Sequence, residues 1–598
     1  MTKKGILSIL FFAFLCLSAQ QKPVQIAFLS DVHFQDLYGS FSDNDFKGIV
    51  NPESGKPTIL RTMDSQLHST RIFNENYFAF LAALDDIAAK GIKIVAMPGD
   101  FSDDGQAYNL RGLHKILDQY HQKYKIDFYI TTGNHDPVGP FRQAAGKDDF
   151  LGKDGNPLGI YSKENMGKIR DKIITKDIAE SGYLEILEEL KDFGFYPKKE
   201  NLYWSTPFNQ VFYKNYSYEK ALQNVGYSNR MYEVSKSFSV PDLSYVVEPV
   251  KGVWMIAIDG NTYIPKNKDG NSNDPTNYRG ASIGYNNVLT NKKHIIQWVK
   301  KIAAEAKANG KTVVAFTHYP MIDFNDGATN DIKNLLGGKK WQLERVPEED
   351  VAKAFMDAGL QIHFAGHMHI NDTGVRKERD KMLVNVQVPS LAAYQPAYKI
   401  LTIQSPDKME VHTETINVVP RFNELFPLYE KEYQTLSKDK SKTLWNKDIL
   451  KTQSYHDFML FHLKELVRLR MIPDDWPKDF YEKAKVLNGE DLLLMSQNSN
   501  TESKQKRLDP KSFGKWNFED LLFDLYKFQS ADELATKDIP QERLEQYQVL
   551  EKLFESNTSQ DPFIKQLKSV FKILSLLSNG DPADHFRIDL KNKTLKRL

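Results

Sequence analysis

Five short motifs in this chain could together hold metal ions: Asp31-Val32-His33, Gly99-Asp100, Gly133-Asn134-His135-Asp136, Thr317-His318 and Gly366-His367-Met368-His369. Imidazole nitrogens and carboxylate or amide oxygens are donors that a borderline divalent cation accepts. Alone, each motif has a plainer reading. Asp-x-His is a common surface turn, Asp100 a helix cap, Gly133-Asn134 a turn dipeptide, and a lone His318 a hydrogen-bonded core residue. Gly-His-x-His is the most suggestive of the five. The set carries more than its members, because every motif follows a run that reads as a β-strand and every one supplies a donor. In an open α/β fold, ligands gather at the carboxyl ends of strands.

The elements that must position these residues can be read from apolar periodicity. Strands are expected at 24–30, 92–97, 128–131, 244–247, 254–258, 312–316, 361–365, 382–388, 398–404 and 409–416. Helices are expected at 74–90, 106–124, 291–308 and 348–358. This alternation predicts a layered α/β fold. Two long connections interrupt it, at 36–73 and 137–243. The second is rich in Tyr, Phe, Asn and Lys and reads as an irregular insertion with helices over about 166–192. Both leave the sheet on the side of the motifs, so they could wall the site. Their aromatics would either stack on a substrate or form a small core of their own. After Arg421 strand-like runs vanish, and helical periodicity appears at 455–470, 517–530, 541–555 and 562–578. An all-α C-terminal domain is therefore expected over 421–598, behind a domain at 22–418. No Gly-rich phosphate loop and no internal repeat is present.

Composition narrows the function. The chain has 598 residues and a formal net charge of +1, from 79 basic and 78 acidic residues. No global field draws it to nucleic acid or to an anionic membrane. Lys3 and Lys4, the apolar run from Gly5 to Leu17 and the small residues Ser18-Ala19 read as a signal peptide over 1–19. The expected location is therefore periplasmic or extracellular. Cys16 is the single cysteine. A lipid anchor there fits less well, because Leu15 stands where a small residue is usual. With the signal removed, the chain has no disulfide, no thiolate metal site and no Cys nucleophile. No later run is apolar enough for a transmembrane helix.

The ordered set resembles the calcineurin-like metallophosphoesterase superfamily, over about residues 24–416. The context Gly99-Asp100-Phe101-Ser102-Asp103-Asp104-Gly105 and the residue Asp136 are similar to its bacterial phosphodiesterase-like branch. The resemblance implies a four-layer αββα sandwich, here with insertions. It implies two divalent ions: Asp31, His33 and His369 on one, Asn134, His318 and His367 on the other, and Asp100 between them. Side chains two apart on a strand end point the same way, so Asp31 and His33 can share one ion. Ions about 3.5–4 Å apart repel and need a bridging carboxylate. Zinc, iron, manganese, cobalt or nickel would suit such donors. The resemblance also puts His135 beside the substrate phosphate, as a transition-state or proton-donating group, and Asp136 would orient its ring.

The expected activity is hydrolysis of a phosphomonoester or phosphodiester, a small molecule or a lipid head group, by a hydroxide held between the ions. Two other readings stand beside it: a nuclease, and a non-catalytic surface binding or scaffold protein on the same fold. Asp259 reads as a structural residue near the site. Tyr319 either lines the cleft or packs. Asp103 and Asp104 read as caps of the next helix.

Overall fold

The computed structural model describes residues 23–169, 171–209, 211–441, 443–497 and 509–598. The expected signal peptide and Cys16 lie outside the described residues. Two seven-stranded sheets form the centre. The first holds β1 (Val24–Phe28), β2 (Ile94–Pro98) and β3 (Asp127–Thr131). The second holds β4 (Tyr203–Ser205), β5 (Tyr245–Val250), β6 (Val253–Ile258), β7 (Thr312–Thr317), β8 (Ile362–Ala365), β9 (Asp372–Glu378) and β10 (Lys381–Gln387). The chain then returns to the first sheet as β11 (Ala397–Ser405), β12 (Lys408–Thr415), β13 (His585–Asp589) and β14 (Thr594–Arg597). The orders are β14-β13-β12-β11-β1-β2-β3 and β9-β10-β8-β7-β6-β5-β4. The parallel centres, β1-β2-β3 and β6-β7-β8-β10, carry the motifs.

The central strands are apolar along their whole length because both faces are covered. In β6 all six residues, Val-Trp-Met-Ile-Ala-Ile, are buried, as expected for a parallel strand between layers. The sheets meet face to face: Phe28 of β1 stacks on Phe364 of β8, with ring centroids 3.7 Å apart. Helices α1 (Asn76–Ala89) and α2 (Ala107–Tyr124) follow β1 and β2, and α3 (Lys293–Ala308) and α4 (Glu349–Asp357) precede β7 and β8. In α2, Leu110, Leu113 and Leu117 are buried while Lys115 and Gln119 are exposed, the stripe an amphipathic helix turns inward. The result is the four-layer αββα sandwich.

The C-terminal region is helical, with α5 (Phe426–Leu436), α6 (Tyr455–Leu466), α7 (Phe518–Ala531), α8 (Gln541–Ser556) and α9 (Pro562–Ser578). Its end differs from the all-α expectation. After α9 the chain forms the hairpin β13-β14, and Ile588 pairs with Met409 of β12. The apolar alternation there is only Phe586 and Ile588, too short for periodicity to reveal a strand. Residues of α5, α6 and β13 belong to the same core cluster as the two sheets.

The second insertion also differs from its expectation. Gly146–Leu151, Pro157–Tyr161 and Lys172–Ile174 form a three-stranded sheet, and Tyr183–Leu190 is the helix where a longer one is expected. Pairing of 172–174 with 159–161 is a long-range contact that local pattern does not record. Among the described residues no helix is long and apolar enough to cross a membrane.

Candidate metal centre

The loops that leave β1, β2, β3, β7 and β8 meet at one edge of the two sheets. Five of the seven expected ligands hold a left-handed backbone there: Asp31 (φ 49°), His33 (42°), Asp100 (48°), His367 (74°) and His369 (59°). Such a conformation costs a non-glycine residue about 1–3 kcal/mol and persists only where the surroundings impose it. The loops impose it on one another. His33 N–H donates to Asp100 O at 2.8 Å, and His367 N–H donates to both carboxylate oxygens of Asp31 at 3.0 Å. Two glycines permit this approach. A Cβ at Gly133 would overlap the Asp100 carboxylate, and one at Gly366 would overlap Ser30 and Asp31.

Two groups of donors result. In the first, His33 Nε2 lies 3.1 Å from His369 Nε2 and 3.9 Å from Asp31 Oδ1, and His369 Nε2 lies 3.4 Å from Asp31 Oδ1. In the second, His318 Nε2 lies 3.1 Å from each of Asp100 Oδ2, Asn134 Oδ1 and His367 Nδ1. Asp100 Oδ2 is also 3.8 Å from His33 Nε2, so this carboxylate stands between the groups. Both Asp31-His33-His369 and Asp31-Asp100-His318 are close enough to hold a metal ion.

Outer contacts fix the ring protons. A carbonyl oxygen only accepts, so the nitrogen facing it carries the hydrogen. His318 Nδ1 thus donates to Pro98 O (3.0 Å), His367 Nε2 to Ser282 O (2.8 Å) and, over a longer 3.4 Å, His369 Nδ1 to Thr70 O. His33 Nδ1 finds no such partner among the described residues. The inner nitrogens thus face each other in two pairs, His318 Nε2 with His367 Nδ1 and His369 Nε2 with His33 Nε2. Ring nitrogens gathered this closely with carboxylate and amide oxygens, their outer nitrogens bonded to carbonyls, are a donor set that fits divalent ions.

The electrostatics agree. Burial pushes His33 and His367 well below the usual imidazole range, helped by Arg71 on the first and Arg345 on the second. Burial also opposes charge on His318, but the Asp100 carboxylate outweighs it and raises that residue. Burial opposes charge on Asp100 too, yet His318 and His135 hold it ionised. His33 and His367, which resist protons beside ionised carboxylates, are in the state in which imidazole can bind a metal.

His135 lies at the mouth, its side chain 27% exposed and its ring centroid 5.0 Å from that of His33. Its Nδ1 bonds to the Asp104 carboxylate. The orienting role expected of Asp136 thus falls to Asp104. Asp136 is buried and turned inward, accepting from Ser102 N–H (2.8 Å) and Gly133 N–H (3.3 Å). Burial, with the nearby Asp100 charge, pushes it well up. Asp104 had read only as a cap, since its contact to His135 spans two loops. Both insertions reach this corner. Lys147 pairs with Asp104, while Arg61 and Arg71 each bond Asp103 at 3.0 Å.

Nearby residues are structural. Asp259 is buried and bonded to Lys292, Tyr183 and Leu243 N–H. Tyr319 is buried too, its hydroxyl on Asn261 (2.6 Å) and its ring against His318 and His367.

The family model for calcineurin-like phosphoesterases matches residues 24–371, which contain all five motifs. The chain belongs to this calcineurin-like phosphoesterase family. No curated protein matches it. Among solved structures, a dimetal phosphatase from Danio rerio is 10% identical, with 66% of this chain and 96% of that one covered at a TM-score of 0.27. A purple acid phosphatase, PPD1, from yellow lupin seeds is 10% identical, with 66% and 52% covered and a TM-score of 0.29. GAP50, the anchor in the inner membrane complex of Plasmodium, is 9% identical, with 66% and 84% covered and a TM-score of 0.27. Membership of the calcineurin-like phosphoesterase family rests on the family model and the converging donors, not on these distant neighbours.

Proposed function

We propose that this calcineurin-like phosphoesterase is an exported enzyme that hydrolyses a phosphomonoester or phosphodiester with two divalent ions. Asp31, His33 and His369 would hold one ion, Asn134, His318 and His367 the other, and Asp100 would bridge them. The observation that carries the reading is the close inward set of ring nitrogens with Asp31, Asp100 and Asn134 oxygens, the outer nitrogens of His318, His367 and His369 bonded to Pro98, Ser282 and Thr70. When bound, the ions supply Lewis-acid charge for the phosphoryl oxygens and make a water acidic enough to attack near neutral pH.

The chain's own residues do the rest. Asp104 holds His135 by Nδ1, which leaves Nε2 free to face the substrate. The ring can then stabilise the phosphoryl charge or give a proton to the leaving alkoxide. Lys147 pairs with Asp104, which keeps that carboxylate ionised. The fixed left-handed loops hold the donors in place before substrate arrives, so little reorganisation is needed at the moment of reaction.

The test is direct. Protein purified without chelator is analysed for metal content and assayed on p-nitrophenyl phosphate, bis-p-nitrophenyl phosphate, nucleotides and phospholipid head groups. About two ions per chain and turnover of at least one ester class are expected. A fully loaded protein inert to the whole panel would sink the catalytic reading. Secretion of the full-length chain with loss of residues 1–19 tests export.

A further inference from the structure

The His367–His369 loop and the C-terminal helical region meet around a cavity of about 40 Å³. His369 itself lines it, beside Thr70, whose carbonyl faces His369 Nδ1 at 3.4 Å. The C-terminal region supplies Leu463 and Leu466 of α6, Met471 just beyond that helix, and Gln529 and Ser530 of α7. The position matters because the centre is otherwise closed. Asp31, His33, Asp100, His318 and His367 are at most 3% exposed. Of the seven expected ligands only Asn134 and His369 are partly exposed. A group carried by a phosphate at the centre therefore has two ways out: past Asn134 and His135 at the mouth, or past His369 into this cavity.

The lining selects the group. Two of its polar side chains have their hydrogen bonds spent elsewhere, Tyr394 on Asp538 (2.6 Å) and His462 on Gln66 O (3.0 Å). Thr70, Gln342, Gln529 and Ser530 do not. Each is half-buried, and among the described residues none of their side chains makes a hydrogen bond. A few convergent polar groups on an apolar wall are what a small-ligand site presents. No Asp, Glu, Lys or Arg among the described residues lines the cavity. Burial pushes the His462 imidazole down to about 4, so it too is neutral. A charged occupant would lose its water there and gain no counter-ion, which is costly. A volume of 40 Å³ has room for about three non-hydrogen atoms.

We propose that this cavity receives the leaving group of the phosphoester, and that the group is a short, neutral alcohol carrying a second hydroxyl. This rests on the phosphoesterase reading above and names its substrate class. Gln342 and Gln529 hold the second hydroxyl, and Leu463, Leu466 and Met471 pack on the carbons. The C-terminal region is then a specificity element.

The test uses the full-length, metal-loaded protein and three phosphonates, whose P–C bond is not hydrolysed: 3-hydroxypropyl-, propyl- and 3-aminopropylphosphonate. Affinities are measured by titration calorimetry with inorganic phosphate as the reference, and metal content by mass spectrometry. The hydroxypropyl compound is expected to bind about tenfold tighter than the other two. Gln529→Leu should reduce that preference to about twofold or less, with phosphate affinity and metal content unchanged. Gln342→Leu should act in the same way. Leu466→Phe, which fills the cavity, should weaken all three phosphonates and leave inorganic phosphate as it was; if that variant does not fold, the two glutamine variants still decide. Equal affinities for the three phosphonates in the wild type overturn the proposal, as does a preference that neither glutamine variant reduces. Turnover of 2-hydroxyethyl phosphate separates this site from the reaction. The phosphonate preference without turnover of any ester leaves the cavity standing and defeats the catalytic reading alone, and turnover of esters without the preference does the reverse.

Discussion

Two buried polar clusters lie side by side, joined through Asn261, and they solve one problem differently. In the first, Asp242 and Asp259 are fully buried, and Lys292 Nζ sits between them at 3.2 and 3.3 Å. In the second, Asp31 and Asp100 are equally buried, but the groups against them are His33, His318 and His369. Asn261 joins the two clusters, accepting from Lys292 through its carbonyl and donating to Gly133 O at 2.7 Å. A buried carboxylate pair needs positive charge nearby. Where the chain brings a lysine, the cluster is closed and structural. Where it brings imidazoles whose outer nitrogens are bonded to backbone carbonyls, the inner nitrogens and carboxylates are left as a set that could hold an ion. Glu75 shows a third solution. It is buried with only neutral donors, Tyr429 (2.7 Å) and Gln66 (3.2 Å), and burial pushes its carboxyl up to about 7. There the neutralising charge is a proton.

Each solution can be broken separately. Asp100→Ala should have the largest effect: loss of the metal pair and a fall in kcat/KM of about three orders of magnitude or more, read by metal analysis and ester hydrolysis. Full activity in that variant would end the two-ion assignment. Lys292→Met should leave Asp242 with only His294 as a cationic partner and Asp259 with only neutral donors, and lower stability by about 3–5 kcal/mol in urea unfolding. Metal content per folded molecule should stay as in the wild type. If metal is lost instead, the clusters are not independent. His135→Ala should keep both ions and lower kcat by about two orders of magnitude; an unchanged rate removes His135 from the chemistry. Asp104→Asn should give a smaller loss and alter the pH profile, whereas Asp136→Asn should act mainly on stability. Glu75→Gln should have the gentlest effect. The folded state holds the Glu75 proton up to about 7, against an ordinary value of 4.5. Stability should therefore fall as pH rises from 4.5 to 7, by on the order of 2 kcal/mol, and the substitution should flatten that fall. An unaltered pH–stability curve would show that the proton resides elsewhere.

By itself, the sequence determined the elements and the donors. The strands before Asp31, Asp100, Asn134, His318 and His367 are marked by largely apolar runs, because layers cover both faces. The helices from 455 to 578 are marked by their periodicity. The donors were legible because each sits within a few residues of its strand. What needed the tertiary structure are contacts between distant segments. Asp104 rather than Asp136 holds His135, because Asp136 turns inward to two backbone N–H groups while the loop after β2 brings Asp104 across. The last strands return to β12 because two apolar side chains find a partner that only the folded first sheet provides. Local pattern reports which residues a strand or helix will bury. It does not report which charges from separate loops will meet, because that depends on how the layers close.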